Sequence, residues 1–394
     1  MKKLLIVSDS CFSRKDGIVR FISELIPLLR KTYDIHLIVP ESAQREQMLG
    51  ISVHCCPIYR HISDFAMARP NFAMIKSEVS AADIVWIQSY GPLGLVANHY
   101  AQLYHVPVYY YTHIVEWQIA ESIAQNICGG KIWVWCARAL ARYYYHQAQC
   151  IMTPSKKVLH EIASMVDLSK IEIVPAGINH QQFSSTARKK ERSIERTKED
   201  TEKKNSAQRK LHEEPSNNTT QLTIGYVGRI AREKNLPLLK EAFDRVRQEN
   251  PRLRDQIRLL IVGDGPEEEK ELIRGSGVEI TGFVNNVEDY LAQMDLFVLT
   301  SVTETSSLAT MEAMACGLPI IATRIGYVQE YIEDGFNGSF FEQGNSAELA
   351  RKIERLLLNR RLREKLGNNA ARTARNAPSW KEVADQIADI FEKG

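Results

Sequence analysis

The chain has 394 residues, 44% hydrophobic and 25% charged, with 50 basic and 48 acidic side chains leaving a formal charge of +2. That length exceeds one comfortable core and suits two α/β domains. The near-neutral balance gives no global field for nucleic acid, and no stretch approaches the roughly 18 apolar residues that span a bilayer.

In chain order, Lys2-Lys3 precede the short apolar run Leu4–Val7, which reads as a first strand, not the core of a secretory signal. The loop Asp9–Gly17 follows. Ile18, Val19, Ile22, Leu25, Ile26 and Leu29 then recur at helical spacing, with Pro27 expected to kink or stop that helix. Further apolar runs predict strands at Ile35–Val39, Val53–Cys55, Ile84–Ile87, Val108–Tyr111, Ile151–Thr153 and Glu172–Val174. Strand, helix, strand at this repeat length implies a doubly wound parallel sheet. The seven cysteines form no C-x-x-C pair and no zinc spacing, which points to buried free thiols in a reducing, cytoplasmic compartment.

Composition then breaks. Residues 184–221 carry ten Lys+Arg, seven Asp+Glu and almost no bulky apolar residue. Such a segment cannot bury enough surface to offset its ordering entropy, so a solvated, disordered interdomain insertion is expected; a basic arm docking on anionic lipid is the alternative. The strand pattern restarts at Leu222–Val227 and continues at Arg258–Val262, Val278–Thr281, Leu296–Leu299 and Pro319–Ala322. The expected domains are therefore 1–183, joined by a C-terminal helix near 377–394, and 222–376. A cleft at the carboxyl ends of both sheets is where such architectures hold ligands.

The chemistry concentrates in residues 300–320, which begin where the strand Leu296–Leu299 ends. Glu304 lies in the loop after that strand and Glu312 within the next helix. The first unpaired N–H groups of that helix fall near Ser306, Ser307, Leu308 and Ala309, a ready site for a diphosphate. Two carboxylates flanking it can grip the hydroxyls of a sugar and a ribose. Arg229 and Lys234, in the run after the strand Leu222–Val227, supply two cations beside another helix start and suit a diphosphate leaving group. Arg232 reads as a solvated member of that run. Gly263-Asp264-Gly265-Pro266 is not the dinucleotide fingerprint, and Gly282-Phe283-Val284 follows the next strand, where it either walls a base pocket or simply turns. His113 ends the strand Val108–Tyr111 and reads as a hydrogen-bond donor to sugar or phosphate. Gly17 lets an acceptor or phosphate approach the backbone closely. No Ser-His-Asp set, metal cluster or Walker sequence is present.

These residues resemble glycosyltransferase family 4, the retaining enzymes of the GT-B fold. Glu304 and Glu312 match its paired glutamates, and Ala313–Thr323 matches the segment that follows them. Arg229 and Lys234 match its phosphate pair, and Gly263–Pro266, Gly282–Val284, Ala176–Asn179, His113 and Trp380 match as well. Two positions depart: Thr305-Ser306-Ser307 stands where Gly-Phe-Gly is common, and only Gly17 stands where the family usually has a Gly-Gly pair. The resemblance implies two Rossmann-like domains facing a cleft and a retaining, metal-independent hexosyl transfer. The co-substrate is a nucleotide diphosphate sugar, foremost a UDP-sugar, with no bound cofactor. It casts Arg229 and Lys234 as holding the departing phosphate, Glu304 the donor sugar, Glu312 the ribose and His113 the sugar or acceptor edge. Gly17, Gly263, Val284, Ser306, Ser307 and Leu308 complete the donor contacts.

The acceptor is suggested by residues 131–145, where Trp133, Trp135 and three tyrosines alternate with Lys131, Arg138 and Arg142. That is an interfacial composition, and it points to peripheral membrane contact at the inner face and a membrane glycolipid acceptor. The alternatives are a soluble glycan acceptor with a core helix here, a silent nucleotide-sugar binding protein, and a nucleotide-sugar epimerase.

Overall fold

The computed structural model describes residues 1–10, 17–41, 50–62, 65–89, 91–113, 117, 130–183, 221–304 and 306–394. All of the segment 184–221 whose disorder was expected, save Gln221, lies outside the described residues, as do most of the loop Asp9–Gly17 and Thr305. The chain divides into two compact units, Met1–Gly177 with Pro378–Gly394, and Ile178–Ala377.

The first unit is built on a parallel sheet of seven strands. They are β1 (Lys2–Val7), β2 (Tyr33–Pro40), β3 (Ser52–Cys56), β6 (Ile84–Ile87), β7 (Val108–Tyr111), β8 (Cys150–Thr153) and β9 (Ile171–Ile173), in the order β3-β2-β1-β6-β7-β8-β9. Between β3 and β6 the chain adds an antiparallel hairpin, β4 (Ile58–Ile62) and β5 (Phe65–Ala68), which the apolar pattern did not announce. The central strands are buried on both faces, which is why they read as continuous apolar runs. The helix Gly17–Leu29 runs through Pro27 and ends two residues later. There the missing N–H costs one bond in the last turn instead of breaking the middle.

The C-terminal helix Trp380–Lys393 belongs to this first unit. Its Phe391 ring packs edge-on against Tyr109 (4.8 Å), Trp86 (5.6 Å) and Tyr33 (5.9 Å), and Trp380 meets Phe21 at 5.8 Å. A Ser379–Glu382 capping box starts the helix. Gly177 is required here, since a Cβ on it would lie 2.7 Å from the Trp380 backbone nitrogen.

The second unit repeats the plan with six parallel strands: β10 (Leu222–Val227), β11 (Ile257–Val262), β12 (Val278–Ile280), β13 (Leu296–Leu299), β14 (Ile320–Thr323) and β15 (Gly338–Phe341). Their order is β12-β11-β10-β13-β14-β15. The unit begins at Ile178, not after residue 183, because Ile178 and Phe183 are buried in its own core. The Phe183 carbonyl also accepts from Cys316 Sγ, and His180 Nε2 donates to the Ala377 carbonyl at 2.9 Å. In both sheets the order reverses beside the first strand, β1 or β10, and sites of this architecture form at the carboxyl ends of the strands there.

Candidate functional site

In the second unit, three loops converge at the carboxyl ends of β10, β11 and β13. The chain leaves β10 at Gly228 with φ +149°, and the Gly228 N–H donates to the Val262 carbonyl at 2.9 Å. Gly263 lies so close that a Cβ on it would stand 1.9 Å from the Gly228 carbonyl oxygen. Gly263 therefore lets the β10 and β11 loops touch backbone to backbone. Beyond Gly228, Arg229 pairs with Glu233, and the fully buried Tyr226 donates its hydroxyl to the Arg229 carbonyl at 3.0 Å.

The loop after β13 is tied to this turn. Thr300 Oγ1 donates to the Lys234 carbonyl at 2.8 Å and the Val302 N–H to the Glu233 carbonyl at 2.7 Å. These bonds bring Lys234 Nζ to 2.7 Å from Glu304 Oε2, uniting residues 70 positions apart. The Glu304 backbone rests on Gly326, where φ is +47° and a Cβ would lie 1.4 Å from the Glu304 carbonyl oxygen. No side chain fits there.

Ser307 caps the helix Leu308–Ala315, its Oγ accepting from the Thr310 N–H at 3.3 Å and meeting Thr310 Oγ1 at 2.7 Å. That hydroxyl forms the cap of the helix. The helix itself offers no acceptor to the N–H groups of Leu308 and Ala309. Glu312, only 4% exposed, sits inside this helix. Ser306 is half-buried ahead of the cap, and Val284 packs against the core of the unit. Arg232 is exposed, as a solvated residue should be. A separate cavity of about 450 Å³ lies beside β11 and β12, lined by Asp264, Lys270, Arg274 and Gly282 among others, and contains neither Lys234 nor Glu304.

His113 and Gly17 belong to the first unit. His113 Nε2 lies 2.7 Å from Gln88 Oε1 and so carries the proton and donates; burial lowers its pKa to about 3. It is a neutral imidazole held by Gln88. Gln88 is itself buried at the end of β6, and its Nε2 has no partner among the described residues. Gly17 opens the helix Gly17–Leu29 with open space where a Cβ would stand. Like Gln88, Asp9 was not singled out by the sequence. Asp9, after β1, caps the helix Pro92–Tyr104, with Leu93 N–H donating to Oδ1 at 2.9 Å and Gly94 N–H to Oδ2 at 3.2 Å. Desolvation raises its pKa to about 6 against those bonds.

The helix Gly130–Gln147 turns Ala141, Tyr144 and Tyr145 inward. Ile132, Trp133, Trp135 and Tyr143 are exposed, so this is not the core helix of the alternative reading. Cys136 is exposed too, against the expectation of buried thiols, whereas Cys56, Cys150 and Cys316 are buried. Among the described residues, no helix is long and apolar enough to cross a membrane.

Residues 207–373 match the model for glycosyl transferases group 1, and residues 15–182 match that for glycosyltransferase family 4. The chain is 25% identical to a sulfoquinovosyl transferase of Arabidopsis thaliana over 97% of this chain and 72% of that protein. It is 26% identical to the alpha-monoglucosyldiacylglycerol synthase of Acholeplasma laidlawii over 76% of this chain and 72% of that one. The structure of Anabaena HepE in complex with UDP and glucose superposes with a TM-score of 0.75 over all of both chains, at 17% identity, a likeness of fold. Two doubly wound parallel sheets with this strand order are the GT-B architecture, and the chain belongs to the family 4, group 1 glycosyltransferases, which transfer sugars from nucleotide-sugar donors.

Proposed function

We propose that the chain transfers a hexose from a nucleoside diphosphate sugar, foremost a UDP-sugar, to a glycolipid acceptor, retaining the anomeric configuration and using no metal ion. The observation that carries this reading is the Lys234–Glu304 pair beside the capped helix Leu308–Ala315, with Glu312 buried inside that helix. A diphosphate accepting from the Leu308 and Ala309 N–H groups gains the positive helix end. It then draws Lys234 and Arg229 away from Glu304 and Glu233. Released from its lysine, Glu304 is an acceptor for donor-sugar hydroxyls, and Glu312 takes the ribose. As the anomeric bond breaks, both cations stabilise the charge that develops on the leaving phosphate. The departing phosphate takes the acceptor's proton while the acceptor oxygen attacks from the same face, which preserves the configuration. His113, being neutral, orients a hydroxyl instead of pairing with charge.

The lipid acceptor is supported by the helix Gly130–Gln147. Its outer face presents Trp133, Trp135 and Tyr143 with Lys131, Arg138 and Arg142, and it contains no acidic residue. Aromatic rings and cations without acids match an anionic bilayer surface, at the cytoplasmic face. One relative is named as a synthase of monoglucosyldiacylglycerol. The test combines labelled UDP-hexoses with anionic vesicles containing diacylglycerol or its monoglucosyl derivative. Label entering the lipid as the α-anomer, with vesicle flotation lost in Trp133→Ala/Trp135→Ala, is the expected result. A wild-type chain that never floats and glycosylates only soluble glycans overturns the lipid assignment.

A further inference from the structure

Away from the transfer residues, three potential metal ligands meet in the first unit. His36 on β2 and His54 on β3 share one face of the sheet, since His54 stands opposite Ile38 in the parallel register. Their rings stack at 5.7 Å with an interplanar angle of 17°. The helix Phe72–Ser80 lies over this face and supplies Glu78. His36 Nδ1 is 2.8 Å from Glu78 Oε2, His54 Nε2 is 3.4 Å from Glu78 Oε1, and the two ring nitrogens are 3.4 Å apart.

We propose that His36, His54 and Glu78 form a binding site for one divalent transition-metal ion of the zinc type. A tetrahedral ion with bonds of about 2.0–2.1 Å holds its ligand atoms roughly 3.3–3.4 Å apart. The separations from His54 Nε2 to Glu78 Oε1 and to His36 Nδ1 already have that length, and the His36 Nδ1–Glu78 Oε2 hydrogen bond gives way as the ion enters. Imidazole and carboxylate are the donor types that zinc, cobalt and nickel share. Lys3 Nζ bonds Glu78 Oε2 at 2.9 Å, which leaves Oε1 to ligate and gives a monodentate carboxylate. Asp34 Oδ2 lies 3.6 Å from His36 Nε2, so it favours the tautomer with hydrogen on Nε2 and the lone pair on Nδ1, facing the ion. Three protein ligands leave the fourth position open to water or a small anion. The His36, His54 and Glu78 side chains are partly exposed, which gives an ion a route in. Bound there, the ion links β2, the edge strand β3 and the covering helix.

The full-length chain, stripped with EDTA, is titrated with Zn(II) by calorimetry and with Co(II) by absorption. The expected result is one equivalent bound, with an intense tetrahedral Co(II) d–d spectrum and no thiolate charge-transfer band. Glu78→Gln and His54→Gln keep the wild-type circular dichroism and lose affinity by more than about a hundredfold. A wild-type chain that takes up no ion, or variants that bind as tightly as wild type, overturns the proposal. So does a sulfur charge-transfer band, which would place the ion on cysteine. The cobalt spectrum reads out on the wild-type chain alone, should a variant fail to fold.

Discussion

Replacing His113 by Gln should make the protein less sensitive to acid. In the native state burial holds the His113 pKa near 3, against 6.5 in an unfolded chain. The native imidazole therefore stays neutral while the unfolded one takes a proton. Its contribution to stability is present above the unfolded pKa and is lost as the pH falls toward the folded one. From about pH 7.5 to about pH 5 the unfolded state gains nearly a full proton across about 1.5 units below its pKa, which costs about 2 kcal/mol. Asp9 works in the opposite direction. Its folded pKa, about 6 against 3.8, lets the native state take up a proton first and regains about 1.4 kcal/mol over the same window. The two largely offset in the wild type, and His113→Gln removes only the unfavourable member. Chemical denaturation of both proteins at the two pH values should show the variant's pH dependence shifted by about 2 kcal/mol toward acid tolerance. Matching pH dependences, within roughly 0.5 kcal/mol, would refute a neutral, desolvated His113.

Other perturbations test the loops that hold Glu304 and the helix start. Gly326→Ala puts a Cβ into the Glu304 carbonyl and into a left-handed conformation, costing at least about 1 kcal/mol. Because it moves Glu304, turnover should fall further than stability does, by about a hundredfold; a thermal shift with unchanged turnover would count against this buttress. Ser307→Ala removes the cap of the helix Leu308–Ala315 and should cost about 1 kcal/mol, read by denaturant unfolding. No change in the midpoint would show that the capping bond contributes nothing.

Much of both sheets was legible because parallel strands buried on both faces are written as unbroken apolar runs, as in Leu4–Val7 and Leu296–Leu299. The hairpin β4–β5 was not, since Ile58–Ile62 interleaves Arg60 and His61 with its apolar residues. Nor was β15, whose four residues follow directly on a loop. In the candidate site, Glu304, Glu312, Arg229 and Lys234 could be named from their places after strands and at helix starts. Their pairing could not: the Lys234–Glu304 bond depends on Thr300 and Val302 gripping a distant turn. Asp9 and Gln88 were missed for the same reason. A buried polar residue is recognised only by its partner, and Ser89 and Leu93 for Asp9, or His113 for Gln88, are supplied by the fold.

The most direct measurement is the transfer rate from a UDP-hexose to acceptor by the wild type, Lys234→Ala and Glu304→Gln, with circular dichroism verifying that each remains folded. If Lys234 stabilises the leaving phosphate and Glu304 holds the donor sugar, kcat falls about 10²–10³-fold in each. Rates within about twofold of wild type in both variants would contradict the account, because the paired side chains would then carry none of the barrier.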